Sequence, residues 1–190
     1  MMKVDYHWYK VGIIVVIIVF ASTCGLQVEK QNFKEFEESR DRGERLVLNG
    51  EYDQAVEQYQ KAYEIAERMQ WVEGRSSIKQ HIAEVYSKQK RYQEAEEFLV
   101  EAKSICVADP KCSNVPPRTV WNDLMFLYLF SIKDIAKAKQ LIQEIIDRYQ
   151  RPSDNEELRK LLEEYSSWMR DAGFPQEAVK LEAEIRSLPD

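Results

Sequence analysis

Gly50-Glu-Tyr-Asp-Gln-Ala55-Val-Glu-Gln-Tyr59-Gln-Lys-Ala62 decides the fold, because its spacing of small and aromatic residues returns three more times down the chain. With Ala55 as reference, the matching small residues are Ala95, Ala138 and Ala178, at spacings of 40, 43 and 40 residues. Other offsets agree. Three residues earlier stand Tyr52, Tyr92, Ile135 and Pro175; four later stand Tyr59, Leu99, Ile142 and Glu182; seven later stand Ala62, Ala102, Ile145 and Ile185. Nine earlier come Leu46, Tyr86, Leu129 and Met169, and twelve earlier Gly43, Ala83, Phe126 and Ser166. Small residues at one crossing and bulky ones along the seam describe two antiparallel helices per unit. Units of this length that repeat must stack to bury their apolar faces.

The pattern resembles the tetratricopeptide repeat family, through Gly-x-Tyr-x-x-Ala-x-x-x-Tyr-x-x-Ala at Gly50 to Ala62, through Arg91-Tyr92-x-x-Ala95-x-x-x-Leu99-x-x-Ala102, and more loosely through Gly173-Phe-Pro-Gln-Glu-Ala178. Phe126, Ile145, Pro175 and Glu182 depart from it, and the period near 40 exceeds the usual 34. The expected fold is all-α: an antiparallel helix-pair solenoid of about four repeats over residues 32–190, preceded by one membrane-directed helix within residues 1–31. The helices are expected at Asn32–Asn49 and Tyr52–Met69, Arg75–Lys90 and Tyr92–Val107, Thr119–Ser131 and Ile135–Tyr149, Asn155–Asp171 and Pro175–Leu188.

Val11 to Leu26 carries no charge, with Lys3, Lys10, Trp8 and Tyr9 before it and Glu29 after. Its sixteen residues, nineteen if Trp8 and Tyr9 sit at the interface, fall between a signal-peptide core and a spanning helix of about 20. The charge asymmetry places the N-terminus in the cytoplasm and the repeats on the periplasmic or extracellular side. Three readings stand: an uncleaved anchor, cleavage near Ala21 to a secreted domain, and lipidation at Cys24, for which Ala21-Ser-Thr is a poor lipobox. Gln27 to Lys30 reads as a polar connector. Ala108 to Pro117 holds three prolines and interrupts the array, and the three extra residues of the 43 spacing are placed there. Ser153-Asp-Asn-Glu156 has the form of a capping box.

Chemistry has little to work with. Only His7 and His81 occur, the three cysteines form no Cys-x-x-Cys pair, no glycine-rich phosphate loop is present, and the glutamates lie on helix faces at spacings of three and four. The reading is a non-enzyme without cofactor, metal or small-molecule substrate. A net charge of -6, with Lys and Arg interspersed among Glu, argues against nucleic acid. Cys106 and Cys112 are six apart across a helix end and a turn, and export would permit a disulfide between them, the alternative being a buried Cys106 and a free Cys112.

The resemblance implies protein binding, with the first helix of each pair lining a groove for a peptide or partner helix. Two roles follow: a membrane-tethered scaffold or co-chaperone, or a permanent subunit of an envelope or secretion assembly. On the groove side stand Arg40, Glu44, Gln80 and Glu84, a mixed set unlike the Lys, Arg and Asn that clamp chaperone C-termini in one class of the family. In the third first-helix, Val120 to Phe130 is apolar nearly all round. The repeat alignment puts Leu124, Met125, Tyr128 and Leu129 in the core and Val120, Asp123, Leu127 and Phe130 on the groove. Burial of that surplus in a wider array is the competing account.

Overall fold

The computed structural model describes residues 6–108, 118–149 and 155–188, with side chains for 27–107, 118–149 and 155–188. These residues form helices α1 (Tyr6–Leu48), α2 (Tyr52–Arg68), α3 (Val72–Lys88), α4 (Tyr92–Ala108), α5 (Arg118–Phe126) continued by a π-helical turn (Leu127–Ile132), α6 (Ile135–Arg148), α7 (Asn155–Asp171) and α8 (Pro175–Ser187). No strand occurs among them. Consecutive helices pack as pairs, α1 on α2, α3 on α4 and α7 on α8, and α2 also packs on α3, giving the expected helix-pair solenoid.

The repeat positions form the seam of each pair. Ala55, Ala95, Ala138 and Ala178 are each 0% exposed, so no larger side chain fits without displacing the partner helix. Gly43 sits at one such crossing, where an added Cβ would lie 2.6 Å from the Tyr59 ring. Ser76 and Ser166 fill other tight positions and donate from their hydroxyls to the Ala102 and Ala178 carbonyls, so their burial costs no unmade hydrogen bond. Around these small residues, Phe36, Tyr59, Ile78 and Ile82 form one core group and Trp121, Leu124, Leu158 and Tyr165 belong to another. The Tyr86 and Phe98 rings, stacked at 5.3 Å, pack against both and join them.

One turn design recurs. Gly50, Gln70, Lys90 and Gly173 all take positive φ; in each case the residue itself bonds back to the carbonyl three before it, and the next amide bonds to the carbonyl five before it, as Glu51 does to Leu46 and Arg91 to Tyr86. This closes the free carbonyls of the preceding helix. Lys133 also has positive φ, but there the next amide, of Asp134, reaches six back to Tyr128. The π turn therefore holds one extra residue between Tyr128 and Asp134.

Three sequence expectations change. The Gln27 to Lys30 connector is helical, within the single 43-residue α1. The third helix starts at Val72 rather than Arg75, because Gln70 turns the chain and Trp71 is already extended before it. Of the three residues added in the 43 spacing, one lies in the π turn rather than in the proline-rich loop. Among the residues whose side chains are described, from Gln27 onward, no helix is long and apolar enough to cross a membrane. The side chains of Val11 to Leu26, Cys24 included, lie outside the described residues, as do the proline-rich loop with Cys112 and Ser153 of the capping box.

Candidate functional site

A cleft of about 750 Å³ opens between the first helices of the second and third repeats, with α3 as one wall and α5 with its π turn as the other. The α3 wall presents Glu73, Ser76, Ser77, Gln80, His81, Ala83, Glu84 and Ser87, which recur at helical spacing and so share one face. The opposite wall presents Thr119, Asp123, Phe126, Leu127 and Ser131, and Leu99 of α4 contributes at the floor.

Of the sequence candidates, Gln80, Glu84, Asp123 and Leu127 come together here. Arg40 and Glu44 stand further along the same series, on α1. Arg40 donates to Asp41 and lies 3.6 Å from Glu44, and Glu44 is 4.0 Å from His81 Nε2. Val120 and Leu127, expected on the groove, are 0% and 2% exposed and belong to the core. Phe130 is half-buried and packs on the same core.

The π turn is the physical reason for the difference. Counting back from the Tyr128 to Asp134 bond, Tyr128 is the equivalent of Tyr86, so everything upstream shifts by one position from an alignment anchored on Ala138. Val120 and Leu127 then match Ile78 and Val85, both 0% exposed. Met125 takes the tight position of Ala83. Phe126 takes the position of Glu84 and Glu44, and it is 55% exposed, in tilted contact with Phe130 at 4.8 Å. The alignment on Ala138 thus placed Leu127 at a position that Phe126 holds, one residue earlier; the signal that points to Phe126 is the odd spacing itself.

The electrostatics of the cleft are one-sided. Among the described residues no lysine or arginine lines it. Burial, and then the charge of Glu84 on the facing wall, push the Asp123 carboxyl up to about 6. His81 stacks flat on Tyr59, with ring centroids 5.2 Å apart, and burial lowers its pKa against the opposing pull of Glu44 and Glu84. Glu84 itself has Lys88 at 3.3 Å, an exposed i, i+4 pair on the helix surface. On the second helices the charges are instead matched across repeats: Lys137 of α6 with Glu96 of α4, which also accepts from the Tyr128 hydroxyl, Lys103 with Glu144, and Lys139 of α6 with Glu177 of α8. Cys106 is a buried free thiol beside Val72 and Ile105.

With this geometry in view, comparison with known proteins agrees on fold. Residues 77–108, which span most of the second helix pair, match a tetratricopeptide repeat family model. Comparison with curated proteins gives no match. Among solved structures, the chain is similar to a putative kinesin light chain from Podosopora anserina with nearly identical TPR-like repeats, at 19% identity and a TM-score of 0.55, over 80% of this chain and 74% of that one. A single-substitution variant of that same protein gives a TM-score of 0.54 at 19% identity, covering 80% and 73%. BtubC (BKLC) from P. vanneervenii is similar at 20% identity and a TM-score of 0.52, covering 82% of this chain and 66% of that one. The described helices are therefore a solenoid with the tetratricopeptide-like fold.

Proposed function

We propose that this chain is a non-enzymatic scaffold or co-chaperone that holds a peptide or partner helix of another protein in the α3–α5 cleft. The observation that carries this reading is Phe126, an aromatic side chain 55% exposed at the mouth of the cleft, where the preceding repeats place Glu44 and Glu84. Exposed apolar surface next to a concave wall is where a partner gains most from being desolvated. The cleft runs along α3 from Glu73 to Ser87, about 20 Å at the helical rise per residue, room for about six residues of extended chain. In the same reading residues 11–26 tether the domain to a membrane, with the repeats on the periplasmic or extracellular side; the uncharged run and the preceding lysines support this.

The test of the scaffold is Phe126→Asp in the full tagged chain, followed by cross-linking, co-purification and mass spectrometry. A partner recovered with the wild type and lost in the variant, at unchanged melting temperature, supports the cleft; recovery at wild-type level overturns it. The tether is tested by protease added to intact cells with an opened outer envelope. Digestion of the repeats is expected, and full protection until lysis defeats the topology. The mass of the membrane-extracted chain separates an uncleaved anchor from cleavage near Ala21 and from lipidation at Cys24.

A further inference from the structure

We propose that the segment held in the α3–α5 cleft is cationic: a lysine or arginine head of the partner protein sits between Asp123 and Glu84, and an apolar neighbour covers Phe126. This rests on the protein-binding reading above and specifies the partner's chemistry. Among the described residues, the titratable groups facing the cleft are Glu73, His81 and Glu84 from α3 and Asp123 from α5, while α4 contributes the apolar Leu99. Asp123 has neither a hydrogen bond nor an ion pair among the described residues, although it lines the cleft and feels the charge of Glu84 on the facing wall. A cation arriving with the ligand supplies the missing partner.

Among the described residues, Arg40, Lys88 and His81 do not fill that role. Arg40 on α1 is engaged with Glu37, Asp41 and Glu44, and Lys88 lies outside the cleft lining in an exposed pair with Glu84. His81 carries little charge at neutral pH because burial lowers its pKa. The field inside is therefore negative, and low-dielectric walls concentrate it. An acidic segment would bring like charge to Asp123 and Glu84, whereas an apolar segment without charge would leave Asp123 desolvated and unpaired.

The experiment uses the full chain purified in detergent and three fluorescent ten-residue peptides with the same alternating leucines. The intervening positions are arginine, glutamine or glutamate. Fluorescence anisotropy at low salt should rank arginine first, with the glutamine peptide at least about tenfold weaker and the glutamate peptide weaker still. Asp123→Asn with Glu84→Gln should bring the arginine peptide down to the glutamine level, while Phe126→Ala should weaken whatever binds. Melting curves check each variant, and Glu84→Gln alone, an exposed change, must already weaken the arginine peptide. Should the glutamine or glutamate peptide bind as tightly as the arginine one, with Phe126→Ala still weakening it, the cleft reading stands and the cationic partner is wrong. Absence of binding by all three, or binding indifferent to every variant, overturns both.

Discussion

The two walls of the cleft come from equivalent helices built on different principles. α3 belongs to a regular repeat: its ending follows the five-residue hydrogen-bond step found after Leu46 and Met169, and the face it turns to the cleft carries serines, Gln80, His81 and glutamates. The third first-helix ends on a six-residue step, its last turn is π, and three consecutive residues, Leu127, Tyr128 and Leu129, are buried together. An α-helix places successive side chains about 100° apart, so three in a row rarely share a core. The wider turn lets the chain bury them and still present Phe126 to solvent. One added residue thus rotates a repeat's surface while the residue that ends the helix keeps its left-handed conformation, Lys133 like Lys90.

The largest expected effect breaks the alternative alignment. If the regular register held, Leu127→Asp would be a surface change. With Leu127 2% exposed in the core, the substitution instead places a carboxylate among Tyr128, Leu129 and their neighbours, and a loss of about 3–5 kcal/mol is expected. Phe126→Asp, one residue away but 55% exposed, should change stability by less than about 0.5 kcal/mol. Urea titrations of the two variants side by side decide it; equal losses would mean the π turn does not set the register.

Much of this was legible in the chain because the repeat is written in residues that packing cannot exchange. Ala55, Ala95, Ala138 and Ala178 mark seams where only a methyl fits, and Gly43 marks a backbone approach that Tyr59 fills, so helix pairs and their order follow from spacing. The π turn left no such residue: Leu-Tyr-Leu-Phe-Ser-Ile carries no glycine or proline to announce a wider ring, and an added residue in a helix looks the same as one in a loop. The spacing of 43 recorded the insertion without its place. An alignment anchored on Ala138 therefore put Leu127, one residue past Phe126, at the exposed position.

The next effect tests whether the third repeat needs local reinforcement after its irregular turn. Asp134 caps α6 by accepting from the Lys137 amide at 3.0 Å, whereas α2, α3 and α8 start without any side-chain cap. Asp134→Ala should cost about 1 kcal/mol. The comparison is Glu51→Ala before α2, where no cap bond is lost and a change within about 0.5 kcal/mol is expected by thermal melting.

The cleft carboxylate gives a smaller effect with a defined pH dependence. Because the folded pKa of Asp123, about 6, lies above its ordinary value of 3.8, the folded state holds its proton more tightly than the unfolded chain. Stability from this group is therefore greatest below about pH 4, falls as pH rises through roughly the 4–6 window, and levels off above it. Discounted for partial exposure, the penalty at about pH 7.5 is about 1 kcal/mol. Asp123→Asn should then raise the melting temperature by about 2–4 °C at about pH 7.5 and by almost nothing near pH 4. A constant difference across that range would place the effect outside ionisation, and it would remove the electrostatic contrast between the cleft and the paired second helices.

The smallest effect concerns the feature the two walls share. Lys90 and Lys133 both hold the left-handed conformation, at φ 61° and 60°, where a β-carbon costs roughly 1–2 kcal/mol relative to glycine's freedom. Replacing either by glycine removes that strain but also loosens the unfolded chain, which takes back about 0.5–1 kcal/mol. Lys90→Gly should therefore gain no more than about 1 kcal/mol. Lys133→Gly should gain less, because its amide closes the π ring onto Tyr128 and a more flexible residue there lets the last turn revert to α geometry. Amide hydrogen exchange at Lys133 and Asp134 reads this directly. Faster exchange at these two amides in Lys133→Gly, with no matching change at Arg91 in Lys90→Gly, would mean that the π turn depends on a rigid residue at its end. Equal protection in the two variants would mean that the core packing of Leu127, Tyr128 and Leu129 holds the wider ring unaided.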